Sequence, residues 1–129
     1  MPIARFVVRQ QRSRTHDKFG SGQYGARRDG GTRTHRGLDV VTTPREAVFS
    51  PIDGTVVREA RPYPGDRLMR GLVIHGRGEW TGYRVKIFYA EGLVCGDVQA
   101  GQPIALAQDL SLKYPGITNH IHLELSRDG

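Results

Sequence analysis

Two short segments of this 129-residue chain contain residue types that bind metal ions. The first reads H-R-G-L-D and places His35 and Asp39 four positions apart, and the second, H-I-H-L-E, begins at His120. Because side chains alternate along a strand, His120, His122 and Glu124 would share one face. His35, Asp39 and His122 would together form an N2O set, the kind that zinc uses in catalytic sites with a water as fourth ligand. His120 would then lie beside the metal and handle protons.

The elements that must position these groups are strands. Ile121, Leu123 and Leu125 alternate with the polar residues of the second segment, so we expect them to face the core. Helical turns are expected only near residues 63–70 and 109–113. Turn-forming Gly and Pro separate short β-branched runs, which predict strands near residues 5–9, 38–42, 47–50, 54–60, 71–75, 83–89, 103–107 and 120–126. The expected fold class is all-β and mainly antiparallel, an open sheet with a second small sheet.

The order of the motifs, H-x-G-x-D early and H-x-H late, resembles the M23 family of lysostaphin-like zinc metallopeptidases. Residues 48–57 (V-F-S-P-I-D-G-T-V-V) and 101–104 (G-Q-P-I) are similar to that family's strand–turn–strand segment and later turn. A still closer resemblance is to the leukocyte cell-derived chemotaxin branch of the same fold. That resemblance lies in G-S-G-Q-Y at 20–24, V-K-I-F-Y at 85–89 and Y-P-G-I at 114–117.

The resemblance implies a zinc-binding β domain over residues 19–129, with a basic arm or edge strand over residues 1–18. It assigns the zinc ion to His35, Asp39 and His122. Chemotaxins are disulfide-bonded, whereas this chain has one cysteine, so its framework does not depend on intrachain disulfides.

The catalytic residues that the resemblance implies are fewer than in M23 peptidases. His120 takes the acid–base role. M23 peptidases carry a further catalytic histidine in a Y-x-H-L segment, where this chain reads F-Y-A-E-G-L, so Glu91 is the candidate for that place. An ionised Glu91 cannot donate a hydrogen bond to an oxyanion, which leaves Tyr89, Tyr114 or an arginine as candidate donors.

Two functions follow from these implications. The first is a zinc-dependent metalloendopeptidase that hydrolyses the peptide cross-links of bacterial peptidoglycan. The alternative is a non-catalytic zinc-containing binding module that recognises a receptor or glycan, because chemotaxins lack the further histidine and have no established peptidase activity.

Charge is concentrated in the N-terminal third. Residues 1–36 contain nine Lys or Arg and two Asp, a net charge of +7, whereas the whole chain carries +6. A basic rim beside the site would attract peptidoglycan or another anionic wall polymer. Few aromatic residues accompany these charges, which argues against nucleic acid, and no apolar run is long enough for membrane insertion. The sequence does not indicate an oligomeric state.

The N-terminus shows no apolar segment of secretory length. Either the sequence is that of a mature domain, or the expected route is non-classical export or lysis, as for a phage-borne lysin or an effector injected into rival bacteria. Action would then take place in the periplasm or wall of a target cell.

Several other features receive weaker interpretations. Residues 20–25 match G-x-G-x-x-G, but the following A-R-R-D-G-G cannot open a helix, so a loop over one end of the site is expected. His16 and His75 are interpreted as ordinary surface or core histidines. Trp80 and Tyr83 would flank a hairpin loop and line a substrate groove.

Overall fold

The computed structural model describes residues 4–5, 7–9, 37–66 and 68–127, together with the backbone of four two-residue strands between residues 16 and 34. The strands in this part of the chain are β1 His16–Asp17, β2 Gly20–Ser21, β3 Arg27–Arg28, β4 Arg33–Thr34, β5 Leu38–Val41, β6 Ala47–Phe49, β7 Gly54–Ala60, β8 Gly71–Gly76, β9 Tyr83–Phe88, β10 Ala90–Gly92, β11 Gly96–Val98, β12 Pro103–Ala107 and β13 His120–Arg127. Two short 3-10 turns cover Gly78–Trp80 and Leu110–Leu112.

The strands form a six-stranded antiparallel sheet and a smaller three-stranded one. The large sheet has the order β11-β7-β8-β9-β13-β5, and the small sheet has the order β10-β12-β6. Two further antiparallel pairs join β1 to β2 and β3 to β4. The prediction of a mainly antiparallel β fold with a second small sheet is confirmed. Strand β13 is hydrogen-bonded on both sides, to β5 and β9, which makes it a rigid support for side chains.

The core lies against one face of the large sheet, because alternate residues of its strands are aliphatic. Val40, Ile74, Ile87 and Ile121 are all fully buried there, as is Ile104 of the small sheet. Burying a side chain of this size stabilises the fold by about 1.5–3 kcal/mol. The same alternation directs the polar residues of β5 and β13 to the opposite face.

Most of the predicted strands are confirmed to within a residue or two, but two local predictions are wrong. Residues 7–9 form a bend and turn rather than a strand, although Val7 and Val8 are buried in the core. Residues 64–65 form a tight turn rather than a helical one, whereas the expected turn near 109–113 is present as Leu110–Leu112. No strand was predicted where the structure has β10 and β11, which pair with β12 and β7. The boundary predicted at residue 18 stays a prediction.

Two side chains lie in places that the sequence did not predict. Leu125 is 54% exposed, because the end of β13 extends beyond the core. Trp80 is buried in the core and contacts Tyr83 edge-to-face, with ring centroids 5.1 Å apart, so it packs the interior rather than lining a groove. No helix in the described part of the chain is long and apolar enough to cross a membrane.

Candidate metal centre

Strand register brings the two sequence motifs together. In the antiparallel ladder between β5 and β13, Asp39 lies directly opposite His122, and Val41 lies opposite His120. Directly opposed residues of neighbouring strands share a face of the sheet. The ladder therefore places a carboxylate and an imidazole side by side although 83 positions separate them in the chain.

The carboxylate of Asp39 is buried between the two histidines. Its Oδ1 atom is 2.9 Å from Nδ1 of His122, and its Oδ2 atom is 3.5 Å from Nε2 of His120. The side chains of Asp39 and His120 are only 2% and 4% exposed. A buried carboxylate is costly unless protons or cations satisfy it, so this arrangement favours positive charge at both oxygens.

The backbone and a second carboxylate orient the two imidazole rings. His120 donates a hydrogen bond from Nδ1 to the carbonyl oxygen of Thr118 (2.7 Å), since a carbonyl can only accept. In the neutral ring the lone pair then lies on Nε2, which faces Asp39. Nε2 of His122 lies 3.1 Å from Oε2 of Glu124, and the ring stacks on Phe88 with centroids 5.8 Å apart.

Gly37 is required by the packing of the His122 ring. A Cβ atom at position 37 would lie 2.8 Å from Cε1 and 2.9 Å from Nε2 of His122, and would also collide with the carbonyl oxygen of Leu123. Gly37 lies at a bend of the chain, and its backbone does not adopt a positive φ angle. The central glycine of H-x-G-x-D also makes room for the histidine of the second motif.

The structure brings two of the three predicted zinc ligands, Asp39 and His122, together. Zinc binds imidazole nitrogen and carboxylate oxygen at about 2.0–2.2 Å, so two ligand atoms in a tetrahedral site lie about 3.4 Å apart. Asp39 and His122 need to separate only slightly from 2.9 Å to reach that spacing. No group of three His, Cys, Asp or Glu side chains within the described residues is placed to hold a metal ion. His35, the third predicted ligand, lies outside the described residues.

Glu91 lies on the small sheet, apart from the ladder that carries the histidines. It sits in β10 opposite Leu106, and its carboxylate accepts a hydrogen bond from Nη1 of Arg45 at 3.1 Å. The side chain is 40% exposed. The catalytic role of Glu91 stays a prediction, and its contact with Arg45 does not support it.

A cluster of three tyrosines borders His120. The ring of Tyr89 contacts the His120 ring edge-on, with centroids 5.4 Å apart, and Tyr89 adopts a positive φ of 67°. The hydroxyl of Tyr63 lies 2.8 Å from that of Tyr89 and accepts a hydrogen bond from that of Tyr114 at 2.7 Å. Burial, reinforced by these hydrogen bonds, raises the pKa of Tyr63.

Sequence reasoning named Tyr89 and Tyr114 as candidate donors but missed Tyr63. The missed residue lies in the R-P-Y-P-G-D segment, whose Pro and Gly indicate only a turn. Its link to the site depends on three segments that meet only in the folded chain.

Comparisons with known proteins place the chain among related sequences and structures. Leukocyte cell-derived chemotaxin-2 of Mus musculus is 34% identical over 113 residues, which is 86% of this chain and 71% of the relative. The Bos taurus protein of that name is 32% identical over the same shares. Myeloid protein 1 of Gallus gallus is 34% identical over 111 residues, 84% of this chain but 33% of its own length. No protein-family model matches the chain.

Among solved structures, a zinc-containing peptidase from Vibrio cholerae shares the fold with a TM-score of 0.67 and 26% identity. The match covers 97% of this chain and 36% of the peptidase chain, so this protein spans only about a third of that structure's length.

Proposed function

This chain belongs to the leukocyte cell-derived chemotaxin-2 family and has an M23-like fold, and we propose that it is a zinc-dependent endopeptidase acting on the peptide cross-links of bacterial peptidoglycan. One observation carries the proposal: a buried carboxylate, Asp39, lies between the two histidines of the H-x-H motif. The name of the Vibrio cholerae structure, a zinc-containing peptidase with the same fold, supports it.

His35, Asp39 and His122 would hold the metal. When bound there, zinc would supply a Lewis acid that lowers the pKa of water and polarises the scissile carbonyl. A carboxylate oxygen and an imidazole nitrogen are ligands that this ion prefers, and Oδ1 of Asp39 and Nδ1 of His122 already lie side by side.

His120 would act as the proton carrier. Its Nδ1–H is held by the carbonyl of Thr118, so a proton removed from an attacking water would be taken up at Nε2. The resulting imidazolium would lie 3.5 Å from Oδ2 of Asp39, whose negative charge stabilises it inside a site of low polarity. His120 would then return the proton to the leaving amine.

Hydroxyl groups are the donors that the structure offers to a developing oxyanion. The hydroxyls of Tyr89 and Tyr114 both lie within hydrogen-bond distance of that of Tyr63. Because Tyr89 contacts the His120 ring directly, its hydroxyl is the one we assign to the oxyanion, in place of the missing histidine.

The second candidate function is a non-catalytic zinc-containing binding module. Membership of a family named for chemotaxins favours it, and so does the pairing of Glu91 with Arg45 at the position where M23 peptidases carry a histidine. This function needs Asp39 and His122 for stability but needs no proton carrier. His120 therefore distinguishes the two functions.

The test is release of new amino termini from purified peptidoglycan by zinc-loaded protein. Wild type should release them, whereas His120→Ala should lose at least about 100-fold in rate while retaining one zinc ion per chain. His75→Ala, which changes an exposed histidine on β8, is the matched control and should keep full activity. One zinc ion per chain without release from peptidoglycans of several cross-bridge types would overturn the peptidase and leave the binding module.

An anionic wall polymer is the partner that fits the charge. Residues 1–36 carry nine Lys or Arg against two Asp, next to the metal motif in sequence. Attraction of this kind weakens with salt, so sedimentation of the protein with peptidoglycan should fall steeply between low and physiological ionic strength.

A further inference from the structure

Glu124 has no role in the mechanism above, yet it belongs to the same strand face as the metal motif. It follows His122 by two positions on β13, and its Oε2 atom lies 3.1 Å from Nε2 of that histidine. Its side chain is 29% exposed, so it lies at the edge of the site rather than deep inside it. Lys86 on β9 is its direct cross-strand neighbour.

Both ring nitrogens of His122 lie beside carboxylate oxygens, Nδ1 at 2.9 Å from Oδ1 of Asp39 and Nε2 at 3.1 Å from Oε2 of Glu124. Carboxylate oxygens accept hydrogen bonds, so a zinc ion bound beside Asp39 would replace a proton at Nδ1 and use the lone pair of that atom. The one proton of the neutral ring would then lie on Nε2, where Glu124 accepts it. Metal-binding histidines commonly donate their second ring N–H to a carboxylate in this way.

The surroundings of the ring prevent another arrangement. Gly37 packs against the Cε1 and Nε2 edge, where no side chain would fit, and Phe88 stacks on the ring face with an interplanar angle of 23°. A half-turn of the ring would put Cδ2 in the place of Nδ1 and Cε1 in the place of Nε2, and would break the contacts to Asp39 and Glu124 together.

We infer that Glu124 is a positioning residue: it holds the Nε2–H form of His122 and thereby directs the Nδ1 lone pair to the metal beside Asp39. This inference rests on the proposed function only in requiring that the site bind zinc, and it does not depend on peptidase activity.

The experiment measures the zinc dissociation constant by chelator competition for wild type, Glu124→Gln and Glu124→Ala. Loss of the acceptor should weaken zinc binding about 10- to 100-fold in Glu124→Ala. Glutamine keeps an acceptor oxygen, so Glu124→Gln should lose less. Ser126→Ala, two positions further along the exposed part of the strand, is the matched control and should bind zinc as wild type does.

A second readout reports the ring directly. Proton and nitrogen-15 NMR of the zinc-loaded protein should show His122 protonated at Nε2, with that proton further downfield in wild type than in Glu124→Ala, because a hydrogen bond to a carboxylate deshields it. Zinc affinity of Glu124→Ala within twofold of wild type, no advantage of Gln over Ala, or a proton on Nδ1 would each overturn the inference. Failure of the proposed peptidase would look different, since zinc affinity would still depend on Glu124 although no amino termini were released.

Discussion

The substitution Gly37→Ala tests whether the site is as tightly packed as the structure shows. The added Cβ would lie 2.8 Å from Cε1 and 2.9 Å from Nε2 of His122. Carbon atoms in contact normally lie about 3.5–4.0 Å apart, so the ring would have to retreat by about 0.7 Å. The neighbouring carbonyl oxygen of Leu123 cannot retreat with it, because β13 is hydrogen-bonded on both sides.

The displacement has a calculable effect on metal binding and on folding. Metal–ligand distances in a well-formed site hold to within about 0.2 Å, so a shift of about 0.7 Å at His122 should weaken zinc binding at least tenfold, or about 1.4 kcal/mol. Overpacking of this kind costs about 1–3 kcal/mol of folding free energy. Alanine also lowers the conformational entropy of the unfolded chain relative to glycine, which offsets about 0.4–1 kcal/mol of that cost.

The assay is zinc affinity by chelator competition, together with urea unfolding of the metal-free protein. Gly92→Ala is the control, because Gly92, at the end of β10, has open space where its Cβ would be. The reasoning is refuted if Gly37→Ala binds zinc with wild-type affinity and unfolds at the same urea concentration.

Three further predictions concern other parts of the molecule. The pKa of Tyr63 is raised above the usual 10.0, so the neutral form is favoured in the folded state and the unfolding free energy should hold below pH 10 and fall as the pH rises further. Urea titrations between pH 8 and 11 should show this fall. Tyr63→Phe, but not Tyr83→Phe, should make the unfolding free energy less dependent on pH in that range. Glu91→Gln should leave zinc affinity unchanged and peptidoglycan turnover within about threefold of wild type, because Glu91 lies on the small sheet and pairs with Arg45. A loss of turnover above about 100-fold would instead support a catalytic role for Glu91. Ile121→Ala should lower the free energy of unfolding in urea by about 2–5 kcal/mol, whereas Leu125→Ala, at an exposed position, should lower it by about 0.5 kcal/mol or less. Similar losses in the two variants would contradict the assignment of the Ile121 face to the core.

The fold was predictable because its strands follow simple alternation. Polar and aliphatic residues alternate in the segment from His120 to Leu125. This alternation directs the aliphatic side chains to the core and the polar side chains to the candidate site. Strands β10 and β11 were missed because each has three residues, one of them glycine, so neither shows an alternation of polar and apolar residues long enough to predict a strand. Leu125 was misassigned because alternation does not show where the core ends along a strand.

The residue types of the candidate site were predictable, but the residues that pack around them and hold them in place were not. The motifs identify Asp39 and His122, and the pairing of β5 with β13 brings them together. The contact of Tyr63 with Tyr89 and the space that Gly37 leaves for His122 depend on long-range packing, which one sequence does not reveal.

The central claim is that His35, Asp39 and His122 hold one zinc ion. The most direct measurement is the zinc content and zinc affinity of His35→Ala, Asp39→Ala and His122→Ala, each compared with His75→Ala. The account predicts one tightly bound zinc ion in wild type and in His75→Ala, and a loss of affinity of at least about 100-fold in each of the other three. Wild-type protein without zinc, or full zinc affinity in any of those three variants, would contradict it.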